Sequence, residues 1–184
     1  NATQATSQFA VGGAVGGGGG LTFAGTGAIS IFSSQTYALQ TNSLVDAASY
    51  TLAADNASGL ALTGGALSIS FADNAVGGTF SLILLESDTA ARISRTNGGS
   101  ATDVDVSGAV NVSAENSTDF DTYAIGGAGG LAVGIAGAVT FTGITNNVDA
   151  AVVGARIGAS NDRVGAVDIS ASDNMSGQTI AGGL

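Results

Sequence analysis

The chain has 184 residues, of which 30 are glycine, and it contains no cysteine, histidine, tryptophan, proline or lysine. Four arginines oppose 14 acidic residues, so the formal net charge is -10 at pH 7. Phosphate binding requires clustered cations, so the composition argues against nucleic-acid and anionic-membrane partners. Without histidine or cysteine, Ser-His and Cys-His nucleophiles and thiolate or imidazole metal sites are excluded.

A unit of about sixty residues recurs along the chain, which is typical of repeat architectures. Gly-Gly-Ala begins each copy, at 12–14, 64–66 and 126–128. Acidic-asparagine segments, which we interpret as turns, recur at 54–58, 114–118 and 172–176. These landmarks keep their order, so we divide a single array into approximate units 9–58, 59–118 and 119–176 and a partial unit 177–184.

The first unit opens with a glycine run, 16–20, that has two interpretations. In isolation such a run forms a flexible linker. In a stack of coils, glycine instead permits tight corners or close contact between backbones. Both interpretations stay open from the sequence.

Alternation of apolar and polar residues predicts strands in every unit. Leu67, Ile69 and Phe71 alternate with serines, and the same period of two continues around Asp105, Asn111 and Asp168. We expect the apolar row to face a core and the polar row to face water. The valines and isoleucine of the later strands are Val104, Val106, Val110, Val112, Val167 and Ile169.

One segment, 80–85, is apolar at nearly every position and predicts a strand buried on both faces. Turns are predicted at 73–74, 97–99 and 161–162, where Asn, Asp and Gly tolerate left-handed backbone. The absence of proline agrees with extensive strand ladders, because proline cannot donate to them.

These features predict an all-β fold, a parallel β-solenoid built from repeats of about sixty residues. Several short strands per unit suggest three coils of about twenty residues in each unit, and nine such coils stacked at about 4.8 Å would form a rod about 43 Å long. Each coil would template the next through its backbone hydrogen bonds.

A helical membrane span competes for one segment. Residues 124–144 carry no charge and are long enough to cross a bilayer, with glycines at the spacing of packed transmembrane helices. The high glycine content and the polar residues of the equivalent segment, Ser68, Ser70 and Asp73, argue against a helix. We therefore predict no membrane span.

The segments 137–153 and 166–174 resemble the repeats of very large bacterial filamentous adhesins, especially leukotoxin-like adhesins and haemagglutinin-type exoproteins. The similarity consists of a glycine/alanine stretch, a valine-rich strand, an Asn-Asn turn and a later strand that ends in an acidic-asparagine turn. Residues 27–31 and 33–39 are similar to a degenerate earlier copy. The resemblance implies a secreted, elongated solenoid stalk on the bacterial cell surface and carries over no catalytic residues.

A calcium site is the main candidate for bound chemistry. Asp103, Asp105 and Ser107 precede a glycine, which is similar to the opening of a calcium loop. However, Ala114 stands where such a loop needs its closing Glu, and Glu115 comes one residue late. Carboxylate pairs at 103/105 and 119/121 have the spacing of one strand face, which we interpret as solvated surface rather than a catalytic acid and base.

Five Asn-x-Ser/Thr sequons occur in the chain, and Asn56, Asn116 and Asn174 are the candidate glycosylation sites because they recur in the predicted turns. No cofactor other than calcium is indicated.

The sequence therefore predicts a non-enzymatic extracellular structural or adhesive module that extends a fibre, sheath or adhesin stalk and self-associates by β-stacking. A calcium- or glycan-binding module on the same scaffold is the alternative.

Overall fold

The computed structural model describes residues 1–96, 98–99, 101–158 and 164–184. Within those ranges all regular secondary structure is β-strand. The long strands are β1 (Ala2–Gly18), β2 (Thr22–Thr41), β4 (Tyr50–Ser70), β5 (Ala75–Ser94), β7 (Ala109–Gly130), β8 (Gly134–Val153) and β10 (Ala166–Gly183). The short strands are β3 (Leu44–Ala47), β6 (Asp103–Val106) and β9 (Arg156–Ile157).

The strands form three parallel sheets, which confirms the predicted parallel β-solenoid. Sheet A has the order β1-β4-β7-β10, sheet B the order β2-β5-β8, and sheet C the order β3-β6-β9. Each coil therefore contributes one strand to each sheet. The stack holds three coils and the first strand of a fourth.

One coil is a whole repeat, not a third of one. Ala2 pairs with Ala54, and Ala54 pairs with Ala114, so neighbouring coils are offset by one sequence repeat. The prediction of three coils of about twenty residues per unit was wrong, since two of the three strands are about twenty residues long. At about 3.3 Å per residue and 4.8 Å per coil, the stack is wide and short rather than a thin rod.

The phase of the repeat also differs from our division. Coils begin at β1, β4, β7 and β10, whereas the boundaries 58/59, 118/119 and 176/177 fall inside strands of sheet A. The acidic-asparagine segments that set those boundaries are strand, not turn. The third copy is also displaced by one position, because Asn116 pairs with Asp173 and not with Asn174.

Sheets A and B lie face to face, and the aliphatic core lies at the end closed by sheet C. Val104, Val106, Val110 and Val112 are all buried there, as their alternation predicts. Leu52, Ala54, Ile93 and the smaller residues Ala38, Ala91 and Ala114 complete that cluster.

In the half of the coils that lies away from sheet C, small polar residues face the interior and large apolar residues face outward. Ser68 is fully buried and Leu67 is 42% exposed, so the predicted orientation of this strand was wrong. The reason is the close approach of the two sheets, since a Cβ at Gly77 or Gly126 would overlap the backbone of Gly127 or Gly137 across the interior. Only small side chains fit between such sheets, and the large apolar ones point outward.

The residues of segment 80–85 also alternate between the interior and the outer face of the sheet. Ser81, Ile83 and Leu85 are buried, whereas Phe80 and Leu84 lie exposed on the outer face of sheet B. The prediction that this strand is buried on both faces was wrong.

The glycine run and two of the predicted turns lie at the ends of long strands. Gly16 to Gly18 end β1, and the remaining two glycines belong to the turn that leads to β2. Asp73 and Asn74 lie in the corresponding turn between β4 and β5, as predicted. Gly98 has a φ of 77° at the turn after β5, while Asn97 and the segment 161–162 lie outside the described residues.

Residues 124–144 form the end of β7, a turn and the start of β8. Among the described residues, no helix is long and apolar enough to cross a membrane.

Candidate functional site

A ladder of amide side chains runs through the interior of the coil stack. The pairing register places Gln4, Asn56, Asn116 and Asp173 in one column on the inner face of sheet A. Nδ2 of Asn56 donates to Oδ1 of Asn116 at 2.8 Å, and Nδ2 of Asn116 donates to Oδ1 of Asp173 at 2.7 Å. Identical amides stacked at the strand spacing therefore pair from coil to coil.

Sheet B supplies the opposite wall of this ladder. Ser34, Ser87 and Asn146 occupy one register column and face the amides. Ser87 accepts from Asn56 at 2.8 Å and donates to Asn116 at 2.9 Å. The ladder thus ties both sheets together across the interior, and it gives hydrogen-bond partners to the buried amides of Asn56 and Asn116, which would be costly to bury without them.

The coil stack is open at both ends within this chain. β1, β2 and β3 are edge strands at one end, and β8, β9 and β10 are edge strands at the other. Every residue of β10 is exposed, and in the part of the chain that the structure describes no fourth-coil strand of sheet B lies opposite it. An edge of this length is a template for pairing with a further strand.

The hydrogen bonds of Leu184, directly after β10, show to which side the N–H and carbonyl groups of this strand point. The N–H of Leu184 donates to Gly126 at 2.8 Å, and its carbonyl accepts from Ala128 at 3.0 Å, so both groups of Leu184 point towards β7. Alternate residues of a parallel strand bond to alternate sides. The odd-numbered residues of β10, Ala171 and Asp173 among them, therefore direct their N–H and carbonyl groups to the open edge.

The residues of the predicted calcium site are placed on or just after β6. Asp103 forms an ion pair with Arg156 of β9, with the carboxylate oxygen and guanidinium nitrogen 3.1 Å apart. Asp105 pairs in register with Asp46, and Ser107 follows the strand. No cluster of three or more acidic, histidine or cysteine side chains suited to a metal occurs among the residues that the structure describes. The carboxylate of Asp103 is engaged by the guanidinium group of Arg156.

The three candidate glycosylation sites differ in accessibility. Asn56 and Asn116 lie in mid-strand with buried side chains and hydrogen-bonded amide nitrogens, so the folded chain does not present them to a glycosyltransferase. Asn174 is exposed, since its neighbour Asp173 takes the interior column. Glycosylation at Asn174 stays a prediction.

The second carboxylate pair lies on the outer face of sheet A. Asp119 and Asp121 border a shallow groove together with Ser7 and Phe9, and Asp119 accepts a hydrogen bond from Ser176 at 2.8 Å. The groove is open to solvent along the sheet. Its two carboxylates belong to a solvated strand face, as we interpreted them.

A polar network covers the outer face of sheet B near sheet C. Asp88 accepts from both Tyr37 and Asn147, and Arg92 forms an ion pair with Asp149. The hydrogen bond to Asp88 raises the pKa of Tyr37, and the hydrogen bond to Asp149 raises the pKa of Arg92. These contacts join three coils by side chains in addition to the backbone ladder.

No family model, no curated protein and no solved structure matches the chain. The resemblance to filamentous adhesins therefore stays a prediction, and the functional proposal depends on the fold and on the residues described above.

Sequence reasoning missed the interior amide ladder. The signal was present, because Asn56 and Asn116 recur at the repeat spacing and have the same parity as the buried residues of their strands, Ala54 and Ala114. Because an acidic residue followed by Asn favours turns locally, these segments were interpreted as turns instead of strands.

Proposed function

We propose that this chain is a non-enzymatic extracellular structural module that extends a surface fibre, sheath or adhesin stalk through the addition of coils at its ends. The observation that carries the proposal is the edge at β10, where the 18 residues of the strand have no further strand beside them among the described residues. The added coil can come from further repeats of the same polypeptide or from another copy of this chain.

The ladder supports a defined register for this addition. At one end the interior column finishes in the carboxylate of Asp173, and at the other end it begins with the amide of Gln4. Stacking β1 of a second copy on β10, in the register that continues the column, would place Gln4 over Asp173, where an amide N–H can donate to the carboxylate. This contact would extend sheet A alone, because sheets B and C end one coil earlier, at β8 and β9. Charge-assisted hydrogen bonds of this kind are stronger than those between neutral groups.

The chemistry that is present also supports a structural role. Among the described residues, the side chains that join coils are amides, hydroxyls, carboxylates and guanidinium groups engaged with one another. The net charge of -10 keeps such a module soluble outside the points of association.

An experiment with a single proline tests the proposal. Because the N–H of Ala171 points to the open edge, Ala171→Pro removes no bond to β7 but prevents the next strand from pairing. We expect the parent chain to form elongated, concentration-dependent particles in negative-stain electron microscopy and in sedimentation velocity, and we expect Ala171→Pro to abolish them. Ser172→Ala, on the outer face of the same strand, is the matched control and should assemble like the parent.

Two results would contradict the proposal. Compact monomers at every protein concentration and ionic strength would show that the ends do not associate. Assembly that persists unchanged in Ala171→Pro would show that association uses another surface. Unchanged urea midpoints for both variants would establish that their folds are intact.

Calcium binding is the second candidate function, and the register of Asp46 beside Asp105 favours it over other ligand classes. Two carboxylates on adjacent strands repel each other, and a divalent cation would relieve that repulsion. Calorimetry with calcium and with a chelator separates the two functions. A plain structural module shows the same melting temperature in both, whereas a calcium module shows a rise that Asp105→Asn removes.

A further inference from the structure

The outer face of sheet B carries a large exposed apolar surface far from the polar network. It is formed by the outward side chains of residues 22–32, 75–85 and 134–144, which we call the apolar face of sheet B. The side chains of its most exposed residues are 56–71% accessible. Contiguous exposed apolar patches of this kind on soluble proteins mark interaction sites. The most exposed residues include Phe23, Ile29, Ile31, Ile135, Val139 and Phe141.

The relief of this face is regular. Phe23, Val76 and Ile135 lie in one register row and form a ridge across the three strands. The next outward row consists only of glycines, Gly25, Gly78 and Gly137, and forms a groove. A Cβ added at Gly78 or Gly137 would meet nothing within 4 Å, so the groove is open to the outside.

A second ridge follows the groove. Phe80 and Val139 share its row with Gly27, so this ridge spans β5 and β8. The row after that contains Ile29, Leu82 and Phe141. The face therefore presents a ridge, a groove and further ridges at the spacing of alternate residues. Such a surface is self-complementary, because a ridge of one copy fits the groove of another.

The distribution of charge favours a second copy of this chain as the partner of this face. No charged residue lies within 22–32, 75–85 or 134–144, although the chain as a whole carries a net charge of -10. Two copies that approach through a charged surface bring like charges together, whereas approach through this face does not. The apolar face of sheet B is thus a surface on which a second copy meets little charge repulsion.

The size of the face sets the strength of the contact. Three strands about 4.8 Å apart and about eleven residues long cover roughly 500 Å² per copy. Two copies would bury about 1,000 Å² in total, near the lower limit for a specific interface. Several copies stacked end to end would present several such faces, so the contact would strengthen with the number of modules.

We propose that two copies of this chain pack face to face through the apolar faces of their B sheets, with a ridge of each copy in the glycine groove of the other. This contact is isologous, so it closes on itself and pairs two stacks laterally. It goes beyond the proposed end-to-end extension, because it joins fibres side by side and does not use strand edges.

The outer face of sheet A serves as the internal comparison. It also carries exposed apolar residues, such as Phe9 and Val11, but the rows that contain them include Asp121 and Thr63. The ridges in these two rows are therefore interrupted by polar groups, whereas the rows of Val15 and Gly17 contain only apolar residues. A charge introduced at Val11 should not affect the proposed contact.

The test compares two exposed valines in the Ala171→Pro background, which removes end-to-end stacking. Val139→Asp places a charge on the apolar face of sheet B, and Val11→Asp places the same charge on the outer face of sheet A; the two positions are 61% and 64% exposed. Sedimentation velocity over a concentration series measures dimerisation. We expect at least a tenfold weaker dimer for Val139→Asp and an unchanged dimer for Val11→Asp.

A crosslinking measurement provides an independent readout, since the chain has no native cysteine. A dilute Phe80→Cys variant treated with a short bismaleimide should yield a covalent dimer, while Val11→Cys should yield monomer. Far-UV circular dichroism and urea midpoints establish that each variant folds like its parent.

Three outcomes would overturn the inference. The first is a parent chain that stays monomeric at every concentration. The second is equal loss of dimerisation in both aspartate variants. The third is binding to neutral phosphatidylcholine vesicles that depends on Val139 while self-association does not, which would assign the face to a lipid surface. Failure of end-to-end assembly leaves this inference intact, because the experiment is performed with the ends blocked.

Discussion

Asn56 and Asn116 occupy the same position in neighbouring coils, and the amide nitrogen of Asn56 donates to the amide oxygen of Asn116 at 2.8 Å inside the stack. Asn116 is completely buried and in turn donates to Asp173 in the next coil. This relationship fixes the register of three coils at once. A shift of one residue would turn these side chains outward.

Replacement of Asn116 by alanine is expected to destabilise the fold by about 1–3 kcal/mol, because it removes the buried oxygen that accepts from both Asn56 and Ser87. Urea unfolding followed by circular dichroism measures the loss. Asn111→Ala, at an exposed position of the same strand, is the control and should change stability by less than about 0.5 kcal/mol. Equal effects at the two positions would contradict the role of the ladder.

Asn116→Asp is expected to destabilise the chain in a pH-dependent way. The new carboxylate would be buried 2.7 Å from Oδ1 of Asp173, where both desolvation and the like charge disfavour ionisation. Its pKa would be higher in the folded than in the unfolded chain, so stability is retained at low pH and lost as the pH rises. A urea midpoint that does not fall between pH 4 and pH 7, relative to the parent, would contradict this expectation.

Gly77 and Gly78 form a matched pair for the close approach of the sheets. A Cβ at Gly77 would overlap the carbonyl oxygen of Gly127, whereas a Cβ at Gly78 would meet nothing within 4 Å. We expect Gly77→Ala to lower the free energy of unfolding by about 2 kcal/mol or more, as overpacking does. Gly78→Ala should be neutral or slightly stabilising. Thermal and urea denaturation of the two variants would show whether the order is reversed.

Tyrosine ionisation should occur above the ordinary range. The hydrogen bond to Asp88 raises the pKa of Tyr37, and burial raises the pKa of Tyr50. Because both pKa values are raised on folding, their contribution to stability is complete below the unfolded value of about 10 and is lost as the pH rises further. Absorbance titration near 295 nm of Asp88→Ala in a background that carries both Tyr50→Phe and Tyr123→Phe should show Tyr37 ionising at lower pH than in that background alone.

The ion pair between Asp103 and Arg156 is expected to contribute little to stability. Its side chains are 26% and 63% exposed, and exposed pairs stabilise by about 0–1 kcal/mol. Arg156→Gln should therefore lower the urea midpoint only slightly, and the difference should shrink as salt is added. A loss that is large and independent of salt would contradict the assignment of this pair to the solvated surface.

The sequence by itself determined the class of fold. Alternation with a period of two, repetition and the absence of proline predict stacked parallel strands, because a strand needs one row of side chains on each face and each repeat can template the next. Near sheet C the orientation was also determined, since Val104 to Val112 alternate with polar residues and only one row suits an aliphatic core.

The tertiary structure alone decided the length of a coil. It also decided which side chains point inward in the half of the coil that lies away from sheet C, where the two sheets approach closely. The turn preference of Asp-Asn is local, whereas the amide ladder exists only when whole repeats stack, and that stacking places Asn56 and Asn116 inside. Likewise, Leu67 lies outside and Ser68 inside because glycine backbones bring the two sheets into contact. The distance between sheets depends on residues far apart in the chain, so no local pattern contains it.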